Sequence, residues 1–142
     1  MIDISNGNLS IDNKTTIIGK ELTKDSFISS DLFIDVIRQD DYGYTRYIIK
    51  PQLIDNDQFS ITLIFKPDGI LDFVFLGIAI NGSIPSWENW SEEKELQKKT
   101  ILDEWMKKNF SAIEKDLSWG SIGSFYDPRS ASSHITIRYK PF

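Results

Sequence analysis

The sequence predicts an α+β fold of two layers, a mostly antiparallel sheet of six to eight strands with one long and one short helix on one face. Three observations lead to this fold class. Short segments of alternating apolar and polar residues are separated by turn residues, a long amphipathic segment occupies 87–110, and a shorter helical segment follows Thr23. The 142 residues fit a single domain, 1–142, which is long enough to bury its own core.

Turn residues predict that the strands are joined as four hairpins. The paired segments are 2–5 with 8–11, 33–38 with 44–50, 58–65 with 70–80, and 119–126 with 133–140. Asn6-Gly7 suits a type I′ turn, which needs positive φ at both positions. Pro51 is expected to end the strand before it, because proline lacks the amide hydrogen that a sheet uses. The 58–80 hairpin is the most apolar segment, so we expect it at the centre of the sheet.

The short helix is predicted from the residues at its start. Thr23 is a good N-cap, and Leu22 and Phe27 have the spacing of a hydrophobic staple. Ile28 and Leu32 are expected on one face of this helix, which gives it a length of about two turns.

The long helix is predicted over 87–110, because acids crowd its first turns and lysines its later ones, as the helix macrodipole favours. Its expected i, i+4 ion pairs are Glu95 with Lys99, Asp103 with Lys107, and Glu104 with Lys108. At about 100° per residue, one face carries Trp87, Trp90, Ile101, Leu102 and Trp105. The pattern leaves open whether Trp87 and Trp90 are core residues or interface residues.

Cysteine usage and the apolar runs bear on the compartment. The chain has no cysteine, which excludes disulfides and suits a reducing compartment, although cysteine can also simply be rare in a proteome. Residues 1–5 lack the basic and apolar regions of a secretory signal. No run approaches about 18 apolar residues, so we expect no membrane span. Together these observations predict a cytoplasmic protein.

The charge balance bears on the kind of partner. The formal net charge is −5 and the sequence pI is about 4.8. Direct nucleic-acid binding is not expected, because a phosphate backbone requires lysine and arginine. A basic protein partner would be attracted to this acidic surface, whereas solubility alone is the alternative explanation of the charge.

Few residues could carry catalysis. His134 is the only histidine and is expected on a polar strand face with no acid near it in sequence. Glu92, Glu93 and Glu95 could form an acid–base pair or a calcium site, but capping and the helix dipole explain them equally. Residues 119–124 only loosely match a glycine-rich phosphate motif and open no helix. We therefore expect neither a cofactor nor a metal site.

Acidic residues that are expected at the surface form the candidate partner-binding set. The turns 40–44 and 55–57 place aspartates beside tyrosines or amides, and the start of the long helix adds glutamates. The predicted partner-binding residues are Asp40, Asp41, Tyr42, Tyr44, Asp55, Asp57, Glu88, Glu92 and Glu93. Ordinary solvated turns are the alternative interpretation of the same residues.

Three sequence patterns carry a family resemblance. They are Thr23-x-x-x-Phe27-x-x-Ser30, then Trp87-x-x-Trp90-Ser91-x-x-x-Glu95, and Trp119-Gly120-x-Ile122-x-Ser124-x-Tyr126-Asp127-Pro128-Arg129-Ser130-x-x-Ser133-x-Ile135-x-Ile137-x-Tyr139. With these patterns the chain resembles small uncharacterised bacterial α+β proteins, which are similar in type to the immunity proteins encoded beside polymorphic or contact-dependent toxins. The resemblance implies a cytoplasmic inhibitor of one toxin domain and transfers no catalytic residue.

These observations leave three functional hypotheses. The first is an immunity protein that is not an enzyme and occludes the active site of a basic toxin domain, for example a nuclease. The second is a small enzyme or ligand-binding domain with Arg138, Tyr126, Asp127 and Glu95 in a pocket between sheet and helix. The third is a structural or interaction protein of another role.

Overall fold

The computed structural model describes residues 1–78, 92–129 and 132–140. The elements of these residues, in chain order, are β1 (Leu9–Ser10), β2 (Ile17–Ile18), α1 (Lys24–Ile28), β3 (Ile37–Asp41), β4 (Tyr44–Ile54), β5 (Asp57–Phe65), β6 (Leu71–Ile78), α2 (Glu92–Phe110), β7 (Glu114–Leu117), β8 (Gly120–Asp127) and β9 (Ser132–Tyr139). Neither described helix is long and apolar enough to cross a membrane.

The main sheet confirms the predicted α+β class. Seven antiparallel strands have the order β3-β4-β5-β6-β9-β8-β7, and β1 and β2 form a separate two-stranded sheet. The apolar hairpin of β5 and β6 lies centrally, as predicted, because β6 is the middle strand of the seven. Strand β7 was not predicted from the sequence, since the residues of 114–117 do not alternate in polarity.

Both described helices pack on the same face of the sheet. Phe59 and Phe65 are buried on one side of β5, since their positions in the strand differ by an even number. The ring of Phe65 contacts Phe27 of α1, with ring centroids 5.9 Å apart, and the ring of Phe59 contacts Trp105 of α2 at 5.9 Å. The core therefore lies between the helices and this face, and the opposite face of the sheet carries no described helix.

The turns that join β3 to β4 and β4 to β5 have the geometry that twisted strands favour. Tyr42 and Gly43 have φ of 49° and 83°, and Asp55 and Asn56 have φ of 52° and 70°. Positive φ at both central residues is the mark of a type I′ turn. Asp12 supports the second turn, because its carboxylate accepts the amide hydrogens of Asp55 and Asn56 at 3.2 and 2.9 Å.

Two sequence predictions about turns and strand ends are wrong. At Asn6-Gly7 only Gly7 has positive φ, and the Gly7 amide donates to the Asp3 carbonyl, so the loop is longer than a two-residue type I′ turn. The side-chain oxygens of Asp3 and Asn6 accept hydrogen bonds from the backbone amides of Ser5 and Asn8, which stabilises this longer loop. Pro51 does not end β4, because a register shift between Ile49 and Gln52 accommodates it.

The predicted strand 33–38 is also shifted. The observed strand β3 starts at Ile37, because Asp35 has φ of 51° and interrupts the extended backbone before it. Lys50 of β4 forms an ion pair with this Asp35 at 2.7 Å. The hydrogen bond and charge of that lysine lower the pKa of the Asp35 carboxyl.

The short helix begins as predicted but is shorter. Thr23 is its N-cap and forms a capping box with Ser26, while the staple residues Leu22 and Phe27 are both buried. The helix ends at Ile28, which is exposed, so the predicted common face with Leu32 is wrong. Leu32 is buried outside the helix.

The described part of the long helix starts at Glu92, and the predicted start with Trp87 and Trp90 lies outside the described residues. Leu102 and Trp105 of the predicted face are buried, whereas Ile101, which was assigned to the same face, is exposed. The observed ion pairs join Glu95 to Lys98 and Lys99 to Asp103. The predicted pairs Glu95 with Lys99, Asp103 with Lys107, and Glu104 with Lys108 are not among the ion pairs of the described residues.

Candidate functional site

The candidate functional site is the face of the seven-stranded sheet opposite the two helices, which we call the uncovered face. Strand register aligns its side chains in rows across the sheet. From β3 to β7, the first row consists of Gln39, Arg46, Ile64, Phe73, Arg138, Ser121 and Asp116. The second row consists of Ile37, Ile48, Thr62, Phe75, Thr136, Gly123 and Glu114. Apolar side chains occupy the middle of both rows, where a solvent-facing sheet usually carries polar ones.

Aromatic rings form a continuous ladder along the middle of this face. Phe73 and Phe75 stack with ring centroids 6.0 Å apart, and His134 meets the Phe75 ring edge-on at 4.9 Å. Arg138 lies over the other ring, with its guanidinium carbon 5.2 Å from the Phe73 centroid. Each contact restricts the freedom of a side chain that faces solvent, so the ladder is pre-organised for binding.

Two exposed arginines flank the apolar centre of the first row. Arg46 and Arg138 stand on either side of Ile64 and Phe73, and neither forms an ion pair with a carboxylate of the described residues. We call the following six residues the platform: Arg46, Ile64, Phe73, Phe75, His134 and Arg138. Aromatic residues and arginine are the types most enriched at the centres of protein interfaces.

Two open grooves lie on the uncovered face. One has a volume of about 480 Å³, is lined by Arg46, Phe75 and Asp127 of this face, and extends to Glu95 and Lys98 of α2 at the end of the sheet. The other has a volume of about 450 Å³ and is lined by residues that include Phe73 and Arg138. The stacked rings of Phe73 and Phe75 therefore stand between the two grooves, which suits a partner with projecting side chains on either side of this ridge.

His134 lies on this face near the carboxylate of Asp127, on the neighbouring strand. Burial lowers the pKa of His134 below its usual value near 6.5, and the charge of Asp127 partly opposes this effect. Because the folded state favours the neutral imidazole, the unfolded chain takes up a proton first as the pH falls. Folding stability is therefore lost as the pH decreases from about 6.5 towards the lower pKa of the folded state.

Replacing Asp127 with asparagine is expected to lower the pKa of His134 further, because it removes the charge that favours the imidazolium. His134 is the only histidine, so its imidazole signal in a proton NMR titration is unambiguous. The variant Asp116→Asn, on β7, is a control that removes one carboxylate from the same face. A His134 pKa above 6.5 in the unsubstituted protein would contradict this burial.

Glu95 joins the start of α2 to the start of β9. Its side chain is buried, with 4% of the residue exposed, and its Oε1 accepts a hydrogen bond from Lys98 Nζ at 3.0 Å. Its Oε2 accepts the Ser133 amide at 3.0 Å, and the Ser133 hydroxyl donates to the Glu95 carbonyl at 3.1 Å. These bonds satisfy the carboxylate inside the protein, so its observed contacts are those of a structural residue.

The structure separates the predicted partner-binding residues into two groups. Strand β4 has 11 residues, which corresponds to about 35 Å, and the two acidic turns lie at its opposite ends. Glu92 and Glu93 are exposed and lie at the same end as Asp55 and Asp57, because Glu95 binds the start of β9 there. Glu88 lies outside the described residues.

The turn 40–44 contributes to both faces of the sheet. Asp41 and Tyr44 pair with each other across the two strands. Both side chains lie on the uncovered face, because Tyr44 is two residues before Arg46 in the same strand. Asp40 is on the helix side, where it accepts a hydrogen bond from Thr45 Oγ1 at 3.1 Å. Tyr42, in the turn itself, is 95% exposed. Asp41 and Tyr44 are therefore the predicted residues nearest the platform in register.

The residues of the enzyme hypothesis do not converge on one groove. Glu95 and Asp127 line the groove of about 480 Å³, whereas Arg138 lines the groove of about 450 Å³. Tyr126 lines neither of these grooves and alternates with the outward-facing Phe125 on β8. The arrangement places no two of these side chains in hydrogen-bond contact.

A third groove, of about 570 Å³, lies near α1, and its lining includes several hydroxyl-bearing side chains and the carboxylates of Glu21 and Asp31. The Asp31 carboxylate accepts hydrogen bonds from the side chains and amides of Thr15 and Thr16. The Thr16 hydroxyl bond, followed by the Thr15 amide bond, lowers the pKa of Asp31 to about 2. Asp31 thus fixes the chain around residues 15–16. The described residues contain no group of three or more potential metal-binding side chains.

Of the six platform residues, only His134 and Arg138 were singled out from the sequence. A signal was present, because Phe73 and Phe75 alternate with the buried Val74 and Leu76 in an apolar stretch. A strand with apolar residues at both odd and even positions presents apolar side chains on both faces of its sheet, which predicts that both faces are covered. On this strand, one of those faces carries no described helix.

Comparison with known proteins identifies a shared fold. No protein-family model matches this sequence, and no curated protein matches it. A chain of the solved structure of Rhs1-CT in complex with its cognate immunity protein RhsI1 is similar in structure, with a TM-score of 0.59 and 16% sequence identity. The alignment covers 98% of this chain and 86% of that chain. At 16% identity the likeness shows that the two chains share a fold.

Proposed function

We propose that this protein is an immunity protein that binds and neutralises one cognate toxin domain in the cytoplasm. The observation that carries the proposal is the likeness over 98% of the chain to a structure that contains an immunity protein with its cognate partner. The uncovered face supports the proposal, because it presents arginine and aromatic residues that no described element covers. The proposed mode of action is occlusion of the toxin's active site, which requires no catalytic group in the inhibitor.

The acidic residues support a basic partner, such as a nuclease domain. The net charge of −5 attracts a basic domain from a distance and raises the association rate, particularly at low salt. We assign this role to Asp40, Asp41, Asp55, Asp57, Glu92 and Glu93, which lie at the two ends of the sheet, and to Glu88. Tyr42 and Tyr44 are uncharged and would contact the partner after it has docked. Since no single patch unites them, they guide the approach of the partner from either end.

Co-expression with the product of the adjacent upstream gene tests the proposal. We expect a tight one-to-one complex that weakens as salt is raised, and we expect cells that make this protein to survive induction of that product. Size-exclusion chromatography with light scattering measures the stoichiometry, and colony counts measure protection. Absence of both the complex and the protection would exclude this function for the pair.

A further inference from the structure

We propose that the platform is the centre of the toxin-binding surface and that it receives a patch with apolar side chains flanked by two carboxylates. This inference rests on the proposed function and adds to it the face of the protein and the chemistry of the contact. The apolar side chains would pack on Phe73 and Phe75, and the carboxylates would bind Arg46 and Arg138. Each guanidinium can donate two parallel hydrogen bonds to one carboxylate.

The distribution of charge on the uncovered face defines the complementary surface. Arg46 and Arg138 lie inside the face, whereas acidic side chains lie towards its edges: Asp41 at the β3 edge, Asp116 with Glu114 at the β7 edge, and Asp127 at the end of β8 near His134. A complementary partner therefore carries carboxylates at its centre and lysine or arginine around them. This pattern reconciles a basic toxin domain with a binding site whose own centre is cationic.

Among the residues that the structure describes, no carboxylate forms an ion pair with Arg46 or Arg138, which leaves both guanidinium groups available to carboxylates of a partner. The protein has 21 acidic and 16 basic side chains, so acids are in excess. Other basic residues of this sheet form ion pairs with these acids: Lys50 pairs with Asp35, and Arg38 pairs with Asp40. In register, Arg46 stands between Gln39 and Ile64, and Arg138 stands between Phe73 and Ser121, so neither has a carboxylate directly opposite it.

The uncovered face is large enough for a stable protein interface. Seven strands span six spacings of about 4.8 Å, and strands of about eight residues extend for roughly 26 Å. The product is about 750 Å², which is close to the roughly 800 Å² that each partner buries in a standard interface. The two grooves beside the ring stack would admit side chains and increase this area.

Charge-reversed variants test the inference in the complete protein. The variants are Arg46→Glu and Arg138→Glu, and the matched control is Lys108→Glu, which changes the net charge equally at an exposed site on α2, in the other layer. The probe is the product of the adjacent upstream gene, and isothermal titration calorimetry at constant salt measures Kd. We expect Kd to increase by at least about 30-fold for each platform variant and by less than about 3-fold for the control.

The outcomes separate this inference from the proposed function. If the unsubstituted protein does not bind the probe, the proposed function fails for that pair before any variant matters. If it binds, and the platform variants bind as tightly as Lys108→Glu, the toxin docks elsewhere and the inference is overturned. Arg46 is exposed and unpaired, so its variant should retain the circular dichroism spectrum and melting temperature of the parent even if the Arg138 variant loosens β9.

A second copy of this chain is the competing occupant of the platform. Self-association would place like platforms together and bring four arginines into one interface, which charge repulsion opposes. Light scattering of the protein alone should therefore give a monomer. A dimer that dissociates in Arg46→Glu would show that the platform binds itself, and it would overturn the inference.

Discussion

Replacing Gly120 with alanine is expected to lower the free energy of unfolding by more than about 3 kcal/mol. Gly120 has φ of 156°, a conformation that residues with a side chain rarely adopt. A Cβ atom at this position would lie 2.0 Å from the Arg138 carbonyl oxygen and 3.1 Å from the Tyr139 Cα, both in the backbone of β9. Because neither atom can rotate away, β8 and β9 must separate. Urea denaturation followed by tryptophan fluorescence measures the loss.

Gly77→Ala is the control for this prediction. Gly77 also lies in a strand, but a Cβ atom there would meet the Ser60 hydroxyl at 2.6 Å, and that side chain can turn aside. Its φ lies outside the left-handed range, so the alanine adds no backbone strain. We expect a change of less than about 1 kcal/mol in either direction. Equal losses in the two variants would show that the backbone contact at Gly120 is not the cause.

The sheet could be predicted from the sequence wherever polarity alternates strictly. Phe59, Ile61, Leu63 and Phe65 were assigned to one face, and all four are buried. The alternation at 135, 137 and 139 predicted the core side of β9 equally well. The conformations of the turns were harder to predict from the sequence. Tyr42, Asp55 and Asn56 adopt positive φ although none of them is glycine. Their conformation follows from the pairing of the strands on either side of them.

The platform depends on register between strands that are distant in sequence. β6 pairs with β9, although α2, β7 and β8 intervene, and this pairing places Phe73 opposite Arg138. The alternation of polar and apolar residues assigned Arg138 and His134 to a polar face of their strand. It could not show which side chains of the adjacent strands would lie beside them. The sequence therefore predicted individual charges, whereas the rows of the uncovered face follow only from the strand order.

Glu95 shows that, for a helix too, the sequence does not reveal which distant residues a side chain will contact. The excess of acids at 92, 93 and 95 is explained by the helix dipole, and for the exposed Glu92 and Glu93 the structure shows nothing further. Glu95 differs because its position in the helix turns it towards the start of β9, where the Ser133 amide lacks a strand partner on that side and binds the carboxylate. Sequence spacing alone does not distinguish these three residues.

Glu95→Ala is expected to destabilise the protein by about 3 kcal/mol. The substitution leaves the ammonium group of Lys98, whose side chain is 12% exposed, without its carboxylate, and it removes the acceptor of the Ser133 amide. Chemical denaturation measures the loss. Glu92→Ala, at the exposed start of the same helix, should change stability by less than about 1 kcal/mol, because only its dipole interaction is lost.

The double variant Glu95→Leu with Lys98→Met separates the charge from the packing. If the loss in Glu95→Ala arises from an unpaired buried charge, replacing both partners with apolar side chains should recover much of it. Ser133 adjoins His134 in β9, so displacement of the strand start in Glu95→Ala should also shift the imidazole signal of His134, whereas Glu92→Ala should leave it in place. If Glu95→Ala is destabilised but the His134 signal does not move, Glu95 stabilises the helix without positioning β9. A displaced signal would show that this buried carboxylate positions one end of the platform, and toxin affinity should then fall with it.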